Sequence, residues 1–239
     1  MKKFGILLAL TIISIFPISS IAVTFGDTAW IEAEESINKV TDMGIMSGYD
    51  DSSFKPNEYI TRAEFAEIIT KAFGLNEKSP LEEYNDLDRS AEYYPYLQKS
   101  AKYIPKYGIM FQYDAMRPYR KNAGGGFLPE CYILRMHAAE ALSEIKIEMN
   151  NLNMDIPDIV EIQTQLVSDY KYSGDYDELY RSSKGNLRPE IVRMFKYTWL
   201  ASKLGIMKGA DDGSGSVFFN PYGYMTRAEL AEAIAAMLK

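Results

Sequence analysis

Three arginines occupy matching places in this chain, and a guanidinium repeated at one position is built for holding an anion. Arg62 lies in Ile60-Thr61-Arg62-Ala63-Glu64, Arg227 in Met225-Thr226-Arg227-Ala228-Glu229, and Arg135 in Ile133-Leu134-Arg135-Met136-His137. Each is expected at the first position of a helix, where the helix dipole disfavours a cation by roughly 0.3–1 kcal/mol. The second stretch has lost the flanking Thr and Glu yet keeps its arginine. Beside unpaired helix N–H groups, the planar fork of arginine suits a carboxylate or phosphate. The alternative is an arginine spent on solvent or a local salt bridge. In either case a first-turn arginine should contribute little to stability, less than about 0.5 kcal/mol.

Other chemistries are poorly provided for. Cys131 is the only cysteine and His137 the only histidine, which excludes an intrachain disulfide, a two-His zinc site and a triad using any other histidine. His137 reads as structural and Cys131 as a bystander. Gly124-Gly125-Gly126 lacks the Lys-Ser/Thr of a phosphate loop, and Asp50-Asp51 and Asp211-Asp212-Gly213 lack the ligand spacing of an EF-hand. Glu34 and Glu35 are adjacent on a helix, about 100° apart, and cannot flank one bond. No catalytic residue, metal site or cofactor is expected.

The elements around the arginines repeat with them. An offset of 73 places Phe127, Pro129, Ile133, Arg135, Ala139 and Glu140 on Phe54, Pro56, Ile60, Arg62, Ala66 and Glu67. An offset of 165 places Phe219, Pro221, Met225, Arg227 and Ala231 on the same first-copy positions. A period of this order marks a duplicated unit, and loops of unequal length between copies cost little entropy. Thr61 with Glu64, and Thr226 with Glu229, are expected to form capping boxes, with Ile60–Phe65 and Met225–Leu230 as hydrophobic staples.

Upstream, an amphipathic helix is expected in each copy. Its buried stripe reads Trp30, Ala33, Ile37, Val40 and Gly44 in the first copy. An offset of 64 gives Tyr94, Leu97, Ala101, Ile104 and Gly108, and one of 161 gives Ile191, Met194, Thr198, Ala201 and Gly205. Gly44, Gly108 and Gly205, each opening a Gly-Ile-Met, stand where a helix end requires a left-handed residue. Gly48-Tyr49-Asp50-Asp51 and Gly209-Ala210-Asp211-Asp212 then read as turns.

These residues resemble the S-layer homology family. Phe25-x-Asp27, Trp30, Gly44-Ile45-Met46, Gly48-Tyr49-Asp50-Asp51, Phe54-x-Pro56-Asn57 and the Ile60–Glu64 box occur in the order of one such module. The third copy is similar from Gly205 onward; the second is degenerate, with Tyr84-x-Asp86 for the opening motif. The resemblance implies an all-α fold of three helix-loop-helix repeats in a pseudo-threefold bundle. It also implies a non-catalytic role: binding an anionic secondary cell-wall polysaccharide, often pyruvylated, in grooves between repeats. Arg62 and Arg227, and Arg135 with them, are the ligand contacts it implies, with the turn glycines Gly48 and Gly209 beside them.

The expected organisation is a signal peptide over residues 1–22, repeats over 23–76, 80–147 (degenerate) and 187–239, and a helical insert at 148–186. Lys2 and Lys3, the apolar run Phe4–Phe16, Pro17 and Ser20-x-Ala22 form the secretory pattern. Net charge moves from −7 to −9 once both lysines leave, which argues against a generic nucleic-acid binder. The chain is therefore expected to be secreted to a bacterial cell wall or S-layer, with no membrane partner after signal cleavage. The alternative is an assembly protein of the S-layer or envelope that packs on other envelope proteins, with glycan binding partial or lost.

Overall fold

A computed structural model describes residues 25–105, 126–162, 165, 189–211 and 217–238. The signal-peptide reading, Gly108–Met110, Gly124-Gly125 and most of the insert lie outside the described residues. The fold is helical, consistent with all-α. Its elements are α1 (Glu34–Asp42), α2 (Arg62–Phe73), α3 (Tyr94–Ser100), α4 (Arg135–Asn150), α5 (Pro189–Lys203) and α6 (Arg227–Met237). One two-stranded antiparallel pair, β1 (Ala210–Asp211) with β2 (Val217–Phe218), precedes α6.

Helix starts follow local chemistry. The Thr61 hydroxyl accepts from Glu64 N at 3.2 Å, and Glu64 Oε2 accepts from Thr61 N at 2.8 Å. Thr226 and Glu229 repeat this at 3.2 and 2.9 Å. The staple residues Ile60, Phe65, Met225 and Leu230 are all fully buried. α4 begins at Arg135 with Leu134 as an N-cap that makes no side-chain bond.

The helices exchange partners between segments. α2 packs on α3, α4 on α5, and α6 on α1. Each helix that begins with an arginine thus covers the opening helix of the next segment, and the last covers the first. Lysines fasten two of these pairs: Lys39 Nζ of α1 donates to the Ala235 carbonyl of α6 at 3.1 Å, and Lys146 Nζ of α4 to the Leu204 carbonyl after α5 at 3.1 Å.

Backbone bonds close the same circuit. Ile60 N donates to Met225 O, Met225 N to Ile133 O and Ile133 N to Ile60 O, at 3.0, 3.0 and 2.9 Å. The residues just before them, Tyr59, Tyr132 and Tyr224, gather with ring centroids 5.3–5.5 Å apart. Such offset, tilted aromatic contacts add roughly 0.5–1.5 kcal/mol per pair beyond the area they bury.

Two expectations about the opening helices are corrected. Trp30 is 97% exposed, lies ahead of α1 and has a φ of 72°. Successive turn bonds from Thr28 N to Phe25 O, Ile31 N to Thr28 O and Glu34 N to Ile31 O carry the chain into α1, so helical spacing does not reach back to Trp30. The second segment is also in a different register. α3 begins 60 residues after α1, at Tyr94 against Glu34, so Leu97 stands on Ile37 and Ser100 on Val40, all four fully buried. Gly44 and Gly205 have the expected left-handed backbone, at φ 68° and 63°.

Candidate functional site

The three arginines lie inside the protein, and each reaches across to the next segment. Arg62 is fully buried; its Nε donates to Phe127 O at 2.7 Å and its Nη2 to Pro105 O at 2.8 Å. Arg135 repeats the pattern on Phe219 O at 2.8 Å and Lys208 O at 3.0 Å. Arg227 repeats it on Phe54 O at 2.8 Å and Ser47 O at 2.6 Å. Each guanidinium also lies over the phenylalanine whose carbonyl it holds, with its central carbon 4.5–5.0 Å from the ring centroid.

Each arginine stands at the first position of its helix, as expected, but the helix N–H groups beside it are not open. The N–H groups of Arg62 and Ala63 donate to Cys131 O and Pro129 O, those of Arg135 and Met136 to Gly223 O and Pro221 O, and those of Arg227 and Ala228 to Glu58 O and Pro56 O. With the capping threonines serving Glu64 and Glu229, the helix starts are satisfied by protein. The arginines are interior ties between segments, which argues for a larger contribution to stability than a solvated first-turn arginine makes. Their acceptors also show that Pro105 takes the place held by Ser47 and Lys208, one residue after Met46 and Met207. Ile104, not Met110, is therefore the counterpart of those methionines in the second segment.

The third nitrogen of each guanidinium distinguishes the junctions. Arg62 Nη1 lies 3.5 Å from Nδ1 of His137. Because arginine only donates, Nδ1 must accept and the ring is neutral. Burial, with the Arg62 and Arg193 guanidinia nearby, brings the His137 pKa down to about 3. Beside it, Glu140 is 3% exposed and paired with Arg193, and burial pushes its carboxyl up. Arg135 Nη1 is ion-paired with Glu229 Oε1. Arg227 Nη1 has no protein partner among the described residues and is not a buried atom, so it reaches the surface. Its guanidinium carbon lies 4.9 Å from the Tyr49 ring centroid, and the residue is 8% exposed.

The candidate glycines flank these ties. Gly48 directly follows the Ser47 acceptor; a Cβ there would strike the Phe25 ring and lie 2.8 Å from Ser53 O. Gly209 directly follows the Lys208 acceptor and lines a groove of about 710 Å³ with Arg135, Lys208, Glu229, Glu32 and Glu232. Lys208 Nζ is paired there with Glu32 and, at 3.7 Å, with Glu232.

Sequence reasoning missed the work of Asp27 and Asp86. Asp27 accepts from Phe54 N at 2.9 Å and Lys55 N at 2.7 Å; Asp86 accepts from Phe127 N and Leu128 N at the same distances. Each carboxylate thus fixes the residue whose carbonyl receives an arginine. The signal was present in Phe25-x-Asp27 and Tyr84-x-Asp86, whose aromatic rings pack on Phe54 and Phe127 with centroids 5.5 Å apart.

No group of His, Cys, Asp and Glu that could hold a metal ion occurs among the described residues, and no described helix is long and apolar enough to cross a membrane. Over 57 residues, 24% of its length, the chain is 42% identical to Cell surface glycoprotein 1 of Acetivibrio thermocellus. That stretch spans 2% of the relative. Residues 25–66 and 200–231 match the S-layer homology domain, which supports the S-layer homology family for this protein.

Proposed function

We propose that this chain is a non-catalytic cell-surface anchoring module that binds an anionic secondary cell-wall polysaccharide, pyruvate-ketal acids included. Its three repeats, residues 23–76, 80–147 and 187–239, follow a signal peptide, lie about a pseudo-threefold axis and carry the 148–186 insert before the third. The closed circuit of backbone bonds and the cyclic packing of helices support this arrangement. The matched S-layer homology segments and the surface glycoprotein relative support the anchoring role.

One observation carries the binding reading. Arg227 keeps a guanidinium edge at the surface, fixed by two carbonyls and flanked by Tyr49, with no carboxylate bound to it among the described residues. A charged group held rigid in this way needs no reordering to receive an acid, and a charge-assisted bond to it contributes about 1.5–3 kcal/mol. Gly48 lets the turn after the Ser47 acceptor pack closely on Phe25 and Ser53 beside this arginine. Arg62 lies too deep for direct contact, and its part is to support the junction.

Titration with purified wall polymer tests this reading. Arg227→Gln should lower affinity tenfold or more, and Arg227→Lys should recover part of it, because an ammonium keeps the charge but not the fork. Melting curves identify a temperature at which every variant is folded. Wild-type affinity in a folded Arg227→Gln protein would overturn the reading and favour contacts with other envelope proteins.

A further inference from the structure

The box glutamate Glu229 serves two segments at once. Its Oε2 accepts from Thr226 N at 2.9 Å, closing the cap of its own helix, while Oε1 is ion-paired with Nη1 of Arg135. The other two nitrogen positions of Arg135 are taken by Phe219 O and Lys208 O. Both Arg135 and Glu229 line the 710 Å³ groove, so the guanidinium edge facing that groove already carries a carboxylate. At Arg227 the matching glutamate is Glu64, and its carboxylate turns back onto Thr61 N at 2.8 Å and Thr61 Oγ1 at 3.0 Å. Identical boxes thus leave one arginine occupied and one open.

We infer that Glu229 stands in for a ligand carboxylate at Arg135, closing the groove beside it to anionic ligands, so that acidic groups of the polymer enter at Arg227 instead. The inference rests on the reading of Arg227 given above. The groove's charges agree with it: Glu32, Glu229 and Glu232 outnumber Arg135 and Lys208, and Lys208 is paired with Glu32 and Glu232. An incoming anion must displace a carboxylate already held by the helix cap, against a net negative wall. This carboxylate makes the grooves unequal without altering any arginine.

Glu229→Gln isolates the effect, because glutamine closes a capping box as glutamate does but leaves Arg135 unneutralised. The probe is inorganic phosphate, followed through the Nε–Hε NMR signals of Arg135 and Arg227 in the full chain. In the wild type the Arg227 signal should move and the Arg135 signal should not. In Glu229→Gln the Arg135 signal should shift saturably, with phosphate binding at least tenfold tighter there than in wild type. Glu229→Asp keeps the charge in the groove and should leave Arg135 silent. An Arg135 response in wild type, no gain in Glu229→Gln, or an equal gain in Glu229→Asp would overturn the inference. With wall polymer, the double variant Arg227→Gln/Glu229→Gln should regain binding lost by Arg227→Gln. Full binding by Arg227→Gln would instead count against the Arg227 reading, while the phosphate experiment still decides the role of Glu229.

Discussion

Removing the Arg62 side chain leaves the buried Phe127 carbonyl and the half-buried Pro105 carbonyl without their donor. Arg62→Ala should therefore cost roughly 3–5 kcal/mol of stability, for the lost charge-assisted bonds, the stranded acceptors and the cavity. Chemical denaturation measures this, and a loss below about 1 kcal/mol would return Arg62 to the status of a surface residue. His137 adds a pH dependence of definite sign. Its folded pKa of about 3 is depressed below the ordinary value of 6.5. The unfolded chain takes up a proton below pH 6.5 and the folded chain does not, so stability from this residue is complete above that pH and lost as pH falls toward 3. Between pH 7 and pH 5 the loss should be roughly 2 kcal/mol, and His137→Gln should flatten that slope. An unchanged slope would mean that His137 is solvated or already charged.

At the scale of elements, the loop before each arginine helix depends on an aspartate from the preceding opening motif. Asp27→Ala should destabilise the protein by about 2 kcal/mol by releasing Phe54 N and Lys55 N together, and Asp86→Ala should do the same at Phe127 and Leu128. Denaturation of the two single variants checks this, and a change below about 0.5 kcal/mol in both would deny the aspartates that role. The uncapped helix α4 behaves differently from a simple missing cap. Leu134 is 2% exposed, so Leu134→Thr gains about 1 kcal/mol from a cap and loses about 2 kcal/mol or more of packing. A net loss in melting temperature is expected, and a gain would place Leu134 outside the core. The capping boxes were legible in the sequence because a cap and its partner lie three residues apart. The destinations of the arginines were not, since Phe127 is 65 residues from Arg62 and Phe54 is 173 from Arg227. Trp30 was misread for a related reason: apolar spacing shows where a helix could extend, and a run of turns ahead of α1 ends it sooner.

For the whole molecule, the circuit from Ile60 to Met225 to Ile133 and the seating of α6 on α1 make each segment depend on the others. Removing residues 187–239 breaks two of the three backbone links, exposes α1 and α4, and strips Phe54 O and Ser47 O of Arg227. The remainder should lose its cooperative thermal transition; a sharp melt with native helicity would show that segments fold singly. The repetition that builds this circuit was readable as copied boxes at offsets of 73 and 165. The inequality of the junctions was not, because it depends on whether a box glutamate, besides capping its own helix, also reaches the arginine of the preceding segment. The central claim, that the assembled chain holds an acidic wall polymer, is tested most directly by sedimentation with purified bacterial walls before and after acid removes that polymer. The protein should pellet with intact walls and stay in solution with stripped ones. Equal pelleting with both would contradict the claim.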